Sequence, residues 1–217
     1  MANFYDTKDY SSLSDKVYQV LRDGIAEGKY KTGDCLVELK IADELGVSRT
    51  PVREALKQLE LEDLVASQPN RGVVVKGFTS EDFQDVFTIR HLLEGQAAYW
   101  AAERITPQQL SQLHEIVDLM EFYTHKNDVD HLVKLDTSFH EIIYEASKSR
   151  TLKHILTSLH HNIQRARQSS LTVPARPDAS LLEHKAIYAA LAAHDSVEAK
   201  KQIEQHIAIA SGYNTKL

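Results

Sequence analysis

The stretch from Ile41 to Val65, IADELGVSRTPVREALKQLELEDLV, decides the fold of the first third of the chain. Apolar residues recur there at helical spacing on both sides of a glycine, which tolerates a tight turn. They are Ile41, Ala42 and Leu45 before Gly46, and Val52, Ala55, Leu56 and Leu59 after it. The pattern predicts a helix, a turn and a second helix.

The second helix begins near Ser48, which can cap its first turn, and Pro51 is tolerated where no intrahelical acceptor exists. The outward positions are polar, namely Arg49, Thr50, Arg53 and Lys57. A helix N-terminus with such side chains suits the major groove of DNA, where arginine binds guanine and the helix end favours phosphate. The spacing alone also permits two ordinary solvated arginines.

The flanking residues predict a small mixed domain. A helical pattern covers about 14–27, and two short β-prone runs, Leu64–Gln68 and Val73–Lys76, enclose the turn sequence PNRG. Gly72 in this turn can adopt a positive φ. We therefore expect a β-hairpin after the two helices.

The sequence pattern changes to a purely helical one near residue 79. Thr79 and Ser80 can cap a helix, and acidic residues follow them in its first turn. We predict a first domain at 1–76, a linker at 77–80 and a helical domain at 81–217. Apolar spacing places helices near 81–104, 106–125, 127–147, 151–170, 178–193 and 196–211. The fold class is mainly α, with an all-α six-helix bundle as the second domain.

Composition limits the possible classes of protein. The 217 residues are 42% hydrophobic, and no apolar run approaches the roughly 20 residues that cross a bilayer. We expect no membrane contact, and the absence of a signal-like start, with Cys35 as the single cysteine, predicts a cytoplasmic protein. The net charge is −6, and residues 1–76 carry 11 Lys plus Arg against 13 Asp plus Glu. DNA binding must therefore depend on where the charges lie.

Four polar residues fall on predicted inner faces of the helical domain. Asp136 and His140 lie four residues apart beside an apolar stripe, and His184 and His206 share stripes with aliphatic residues on two later helices. One carboxylate and three imidazoles suit a divalent transition metal of the zinc, nickel or manganese class. A buried Asp–His hydrogen bond without metal remains an alternative.

From about Leu13 to Lys76 the chain resembles the GntR family of bacterial regulators, on the segment SRTPVREAL (Ser48–Leu56) and the hairpin LVASQPNRGVVV (Leu64–Val75). The resemblance implies a winged helix-turn-helix that binds double-stranded operator DNA. It assigns Asn70, Arg71 and Gly72 to the wing tip at the DNA. Leu39 stands where some branches have an arginine, so no contact is expected there.

Residues from about Thr79 to Tyr213 resemble the FCD ligand-binding domain of the FadR-like branch, in its six-helix VanR-type subgroup. The resemblance rests on IRHLLEGQAAYWAA (Ile89–Ala102), DTSFH (Asp136–His140), LLEHKAIYAALAAHD (Leu181–Asp195) and the late His206. It implies that Asp136, His140, His184 and His206 bind the metal and that a small carboxylate effector binds beside it.

An anionic effector needs cationic partners, and Arg90, Arg165 and Arg167 are the candidates, although each could equally form a structural ion pair. We expect a homodimeric regulator without an organic cofactor, in which effector binding relieves repression. Two alternatives remain open at this point. One is a metalloenzyme that uses the Asp/His site, and the other is a regulator whose metal is purely structural.

Overall fold

The computed structural model describes residues 12–26, 28–69, 71–76 and 80–213. Within it the chain divides into two compact units, Met1–Thr79 and Ser80–Leu217. The division falls within the linker that the sequence predicts at 77–80, of which 77–79 lie outside the described residues.

The first unit consists of three helices and a three-stranded sheet. Its elements are α1 (Leu13–Ala26), β1 (Cys35–Leu36), α2 (Glu38–Leu45), α3 (Arg49–Leu61), β2 (Val65–Gln68) and β3 (Gly72–Val75). The turn between α2 and α3 contains Gly46 at φ 67°, a conformation that glycine adopts without steric cost. All four residues of the predicted α3 stripe are buried. The helix-turn-helix is therefore confirmed.

The sheet extends the predicted hairpin by one strand. Its order is β1-β3-β2 with both pairings antiparallel, and Gly72 opens β3 at φ 79°. Strand β1 was not predicted, because a strand of two residues displays no alternation that a sequence pattern can reveal. It places Cys35 opposite Val74, next to the hairpin.

The second unit is entirely helical in the part that the structure describes. Its helices are α4 (Ser80–Arg104), α5 (Pro107–Lys126), α6 (Val129–Ala146), α7 (Arg150–Asn162), α8 (Gln164–Leu171), α9 (Arg176–Ala192) and α10 (Ser196–Gly212). The predicted capping box at the start of α5 is present, with Thr106 and Gln109 bonding each other reciprocally. The mainly α fold class is confirmed. One predicted helix, 151–170, is divided at Ile163, so α7 and α8 replace it.

Helices α4, α6, α9 and α10 surround the centre of this unit. Helix α4 packs closely on α10 at Gly95, where a Cβ atom would require the side chain of Glu204 to shift. Phe139 of α6 is fully buried and meets the ring of His184 edge to face, with ring centroids 4.8 Å apart. The packing thereby directs polar side chains from different helices towards one another.

Within the residues that the structure describes, no helix combines the length and apolar character that a bilayer crossing requires.

Two leucines on α3 test the orientation of this helix. Leu59 is 0% exposed and Leu61 is 90% exposed. We expect Leu59→Ala to lower the free energy of unfolding of the first unit by about 2–5 kcal/mol, because it leaves a cavity. The matched change Leu61→Ala should stay within about 0.5 kcal/mol of the unmodified protein. Urea denaturation followed by circular dichroism measures both, and equal losses would contradict the orientation of α3.

Candidate functional site

The first candidate surface is the outer face of α3. Arg49, Thr50, Arg53 and Lys57 are all exposed, as the sequence predicts. Ser48 occupies the N-cap position but makes no side-chain capping hydrogen bond, and it too is exposed. The face therefore presents two guanidinium groups, an ammonium group and two hydroxyls around a helix N-terminus.

One carboxylate, which was not predicted from the sequence, forms hydrogen bonds with both arginines. Glu38, on α2, accepts a hydrogen bond from Arg49 at 3.0 Å and two from Arg53 at 3.0 and 2.9 Å. Hydrogen bonding from Arg53 is the main cause that lowers the pKa of Glu38 to about 2. The side chains of Arg49 and Arg53 nevertheless remain 58% and 53% exposed. Glu38 thus fixes the directions of two arginines without covering them.

The hairpin provides the second part of this surface. Arg71 and Gly72 are exposed at its tip, whereas Asn70 lies outside the described residues. The Arg71 carbonyl accepts a hydrogen bond from Cys35 Sγ at 2.7 Å, and the Arg71 N–H donates to the Gln68 carbonyl at 3.1 Å. Hydrogen bonds therefore anchor the backbone of the tip, and Arg71 itself is exposed.

The second candidate site is a buried cluster in the helical unit. Asp136 and His140 come from α6, His184 from α9 and His206 from α10. All four are buried, and each contributes one ligand atom to a set whose members lie within 4.8 Å of one another. The structure thus brings together all four residues that the sequence singled out.

Hydrogen bonds fix the orientation of all three imidazole rings. Nδ1 of His140 bonds Glu94 Oε2, Nδ1 of His184 bonds the Ser180 carbonyl, and Nδ1 of His206 bonds Glu183 Oε2, each at 2.7 Å. Because Nδ1 donates in each bond, Nε2 carries the lone pair. Nε2 of His140 and Nε2 of His184 are buried without a hydrogen-bond partner in the described part of the chain. Such unsatisfied acceptors are costly, and a cation among them would satisfy them.

The electrostatics of the cluster favour metal-binding protonation states. Burial lowers the pKa of His206 to about 4, so its ring is neutral at pH 7. Burial is the largest single influence and raises the pKa of Asp136, but Arg167 and the other groups around the carboxylate together hold that pKa well below its usual range. Asp136 is therefore an ionised oxygen donor beside a neutral nitrogen donor. These are the forms that bind a divalent transition metal.

The structure describes the side chains of two of the three arginines that were predicted to bind the effector. Arg90 is buried and donates from Nε to Glu94 Oε1 at 2.6 Å. Arg167 lies with Nε 2.5 Å from Asp136 Oδ2 and also donates to Thr137 Oγ1 at 3.0 Å. The side chain of Arg165 lies outside the described residues.

Several functional partners were absent from the sequence prediction. Glu94 and Glu183 orient histidines of the buried cluster, and Arg176 is buried with its guanidinium bound by Glu183. His160 is buried and accepts a hydrogen bond at Nε2 from Arg167 at 2.7 Å. Two signals were available: Glu94 follows Arg90 by one helical turn, and Glu183 immediately precedes His184.

Comparisons with known proteins identify both domains. Residues 13–75 match the model of the gntR family of bacterial regulatory proteins, and residues 85–209 match that of the FCD domain. The HTH-type transcriptional repressor RspR of Escherichia coli K12 is 26% identical over 195 residues, covering 90% of this chain and 86% of RspR. An uncharacterized HTH-type transcriptional regulator of Bacillus subtilis, YdhC, is 27% identical over 190 residues, covering 87% of this chain and 85% of YdhC.

The solved structure of E. coli McbR/YncC superposes with a TM-score of 0.79 at 25% identity, covering 92% of this chain and 95% of that one. The relatives are transcriptional regulators, and the metalloenzyme alternative is therefore set aside. With both domain models matched in order along the sequence, this chain belongs to the GntR family of bacterial regulatory proteins and carries an FCD domain after its DNA-binding helix-turn-helix.

Proposed function

We propose that this transcriptional regulator is a homodimeric repressor, acting in the cytoplasm, whose helical domain binds a divalent metal and a small carboxylate effector. The observation that carries the proposal is the set of three imidazoles with occupied Nδ1 atoms grouped around the carboxylate of Asp136. Repression, as opposed to activation, is supported by similarity to RspR, which is named a repressor.

On the DNA side, the exposed face of α3 enters the major groove, with Arg49 and Arg53 donating to guanine edges. Arg71 at the hairpin tip contacts the phosphate backbone and adds affinity that is independent of sequence. Two copies related by a two-fold axis would bind the two halves of a pseudo-palindromic operator.

On the sensor side, Asp136, His140, His184 and His206 would hold the metal. Glu94, Ser180 and Glu183 act as partners that orient the rings and make them better donors. A bound divalent ion supplies a Lewis-acidic centre to which an effector carboxylate can attach. Two small cavities adjoin Asp136, so solvent-sized space exists beside the proposed ligands.

The recognition face can be tested by single substitutions. Arg49→Ala and Arg53→Ala should each weaken binding to the operator by about 1–3 kcal/mol, because each removes donors to a base edge. Fluorescence anisotropy on the best duplex selected from a random library measures the loss. Arg150→Ala, at an exposed arginine of the helical unit, is the control. Full operator affinity in either α3 variant would contradict the assigned face.

The hydrogen bonds of Glu38 to the two arginines predict an effect on operator affinity that is opposite to the effect expected from charge alone. Removing an acid near DNA should strengthen binding to random duplex. Glu38→Gln also frees two arginines, and immobilising them again costs about 0.5–1.5 kcal/mol each, so operator affinity should fall relative to random duplex. Glu44→Gln removes an exposed acid from the same helix and serves as the control. Equal affinity ratios in the two variants would contradict a positioning role.

If the four residues bind a metal, the melting temperature of the protein should depend on whether the ion is bound. Protein supplied with zinc, nickel or manganese should bind one equivalent, measured by elemental analysis, and chelation should lower the melting temperature. His184→Ala should abolish binding and make the melting temperature insensitive to chelator, because a buried ligand is lost. His154→Ala, at an exposed histidine, should retain the metal.

The failure of all three ions to bind would contradict the metal part of this proposal and leave the DNA-binding part intact. If chelation lowers the melting temperature, but carboxylates change operator binding equally with and without the metal, the metal is purely structural.

A further inference from the structure

The first turn of α2 carries an exposed leucine beside the exposed face of α3. Leu39 is 56% exposed, and it directly follows Glu38, whose carboxylate accepts hydrogen bonds from Arg49 and Arg53. These bonds bring the first turn of α2 next to the first turn of α3. An apolar side chain therefore borders the two arginines.

The position of Leu39 gives its exposure a meaning that most exposed leucines lack. Single apolar residues are common on protein surfaces and by themselves indicate nothing. The N-terminal residues of a recognition helix, however, are the ones that contact base edges in a helix-turn-helix. Leu61 shows the contrast, because it is the last residue of α3 and lies about 18 Å along the helix axis from Arg49.

The major groove offers one group that favours an apolar side chain. The C5 methyl group of thymine projects into the groove, and apolar side chains distinguish thymine from the other bases by contact with it. Leu39 leaves water when DNA covers this surface, and its burial against a methyl group is favourable. The resemblance to other regulators predicts no contact at Leu39 because the position lacks an arginine. An apolar contact, however, needs no hydrogen-bond donor.

Leu39 suits this contact better than its neighbour on the other side of Glu38. Val37 is also half-exposed, but it lies outside the helix at the N-cap position, with extended backbone. Its side chain is also one carbon shorter. Leu39 is therefore the apolar group that reaches further from the start of α2.

We propose that Leu39 contacts the methyl group of a thymine in the operator, close to the guanines that Arg49 and Arg53 contact. The inference rests on the proposed function, which places α3 in the major groove, and it adds a specificity-determining residue that makes no hydrogen bond. Each operator half-site then combines guanines with a thymine that the protein recognises by its methyl group alone.

Replacement of thymine by deoxyuridine tests this contact, because deoxyuridine lacks the methyl group and keeps every hydrogen-bonding group of thymine. The probe is the best duplex selected from a random library, with its thymines replaced one at a time. Fluorescence anisotropy measures the affinity of the full chain for each duplex. For the unmodified protein, we expect one replacement in a half-site to weaken binding about fourfold, the factor that corresponds to burial of one methyl group.

Variants of the protein assign this loss to its side chain. Leu39→Ala should remove the fourfold loss at that thymine and leave the effects of the other replacements unchanged, because both changes delete the same contact. Leu39→Met keeps an apolar side chain of similar volume and should retain the loss. Leu61→Ala, at an exposed leucine on the far end of α3, is the matched control and should alter none of the effects.

The inference is overturned if every effect of deoxyuridine persists in Leu39→Ala, since the methyl group is then contacted by another residue such as Thr50. Equal weakening of Leu39→Ala on all duplexes, with and without the methyl groups, would overturn it as well. A different result would count against the proposed function itself, namely no preference of the unmodified protein for any duplex, or a preference undiminished in Arg49→Ala and Arg53→Ala.

Discussion

The carboxylate of Asp136 has to be stabilised in a position that water barely reaches, and this constraint organises the helical domain. Arg167 Nε lies 2.5 Å from one of its oxygens, and His184 Nε2 lies 3.3 Å from the other. Without the arginine, burial would favour the protonated acid. The ion pair therefore ties α8, which carries Arg167, to α6, which carries Asp136. The arrangement of charged side chains around Asp136 thus follows from the need to compensate one buried charge.

The DNA-binding unit solves a different electrostatic problem. Residues 1–76 carry two more acids than bases, so a general positive field cannot account for DNA binding. Glu38 is one of those acids, and it binds both Arg49 and Arg53 on the exposed face of α3. A carboxylate there lowers the attraction to DNA of any sequence, but it orders the two side chains that we propose to read bases. The net negative charge of the unit is therefore compatible with sequence-specific DNA binding, because such binding depends on the positions of a few arginines and not on the total charge.

How much of this structure the sequence predicts depends on whether a feature is local. Helical spacing correctly placed the α3 stripe, and it directed His184 and His206 inwards, because both depend on residues three or four apart. The contacts between Glu183 and His206, or between Glu38 and Arg53, join different helices and have no period to detect. The division of the predicted helix at Ile163 likewise escaped, since neither glycine nor proline marks it. Local patterns thus located the four residues of the buried cluster, whereas the groups that orient them became visible only in the folded structure.

The occupied Nδ1 atoms have a consequence for metal selectivity. They leave a donor set of imidazole nitrogens and one carboxylate oxygen without a thiolate, and the single cysteine, Cys35, belongs to the other unit. Sites of this kind follow the Irving–Williams order, in which copper and zinc bind more tightly than iron or manganese irrespective of the particular protein. Affinity alone therefore does not choose the ion that such a regulator carries. Under the proposed function, the ions that the cell keeps available make that choice, and the transcriptional output would report the metal supply together with the effector.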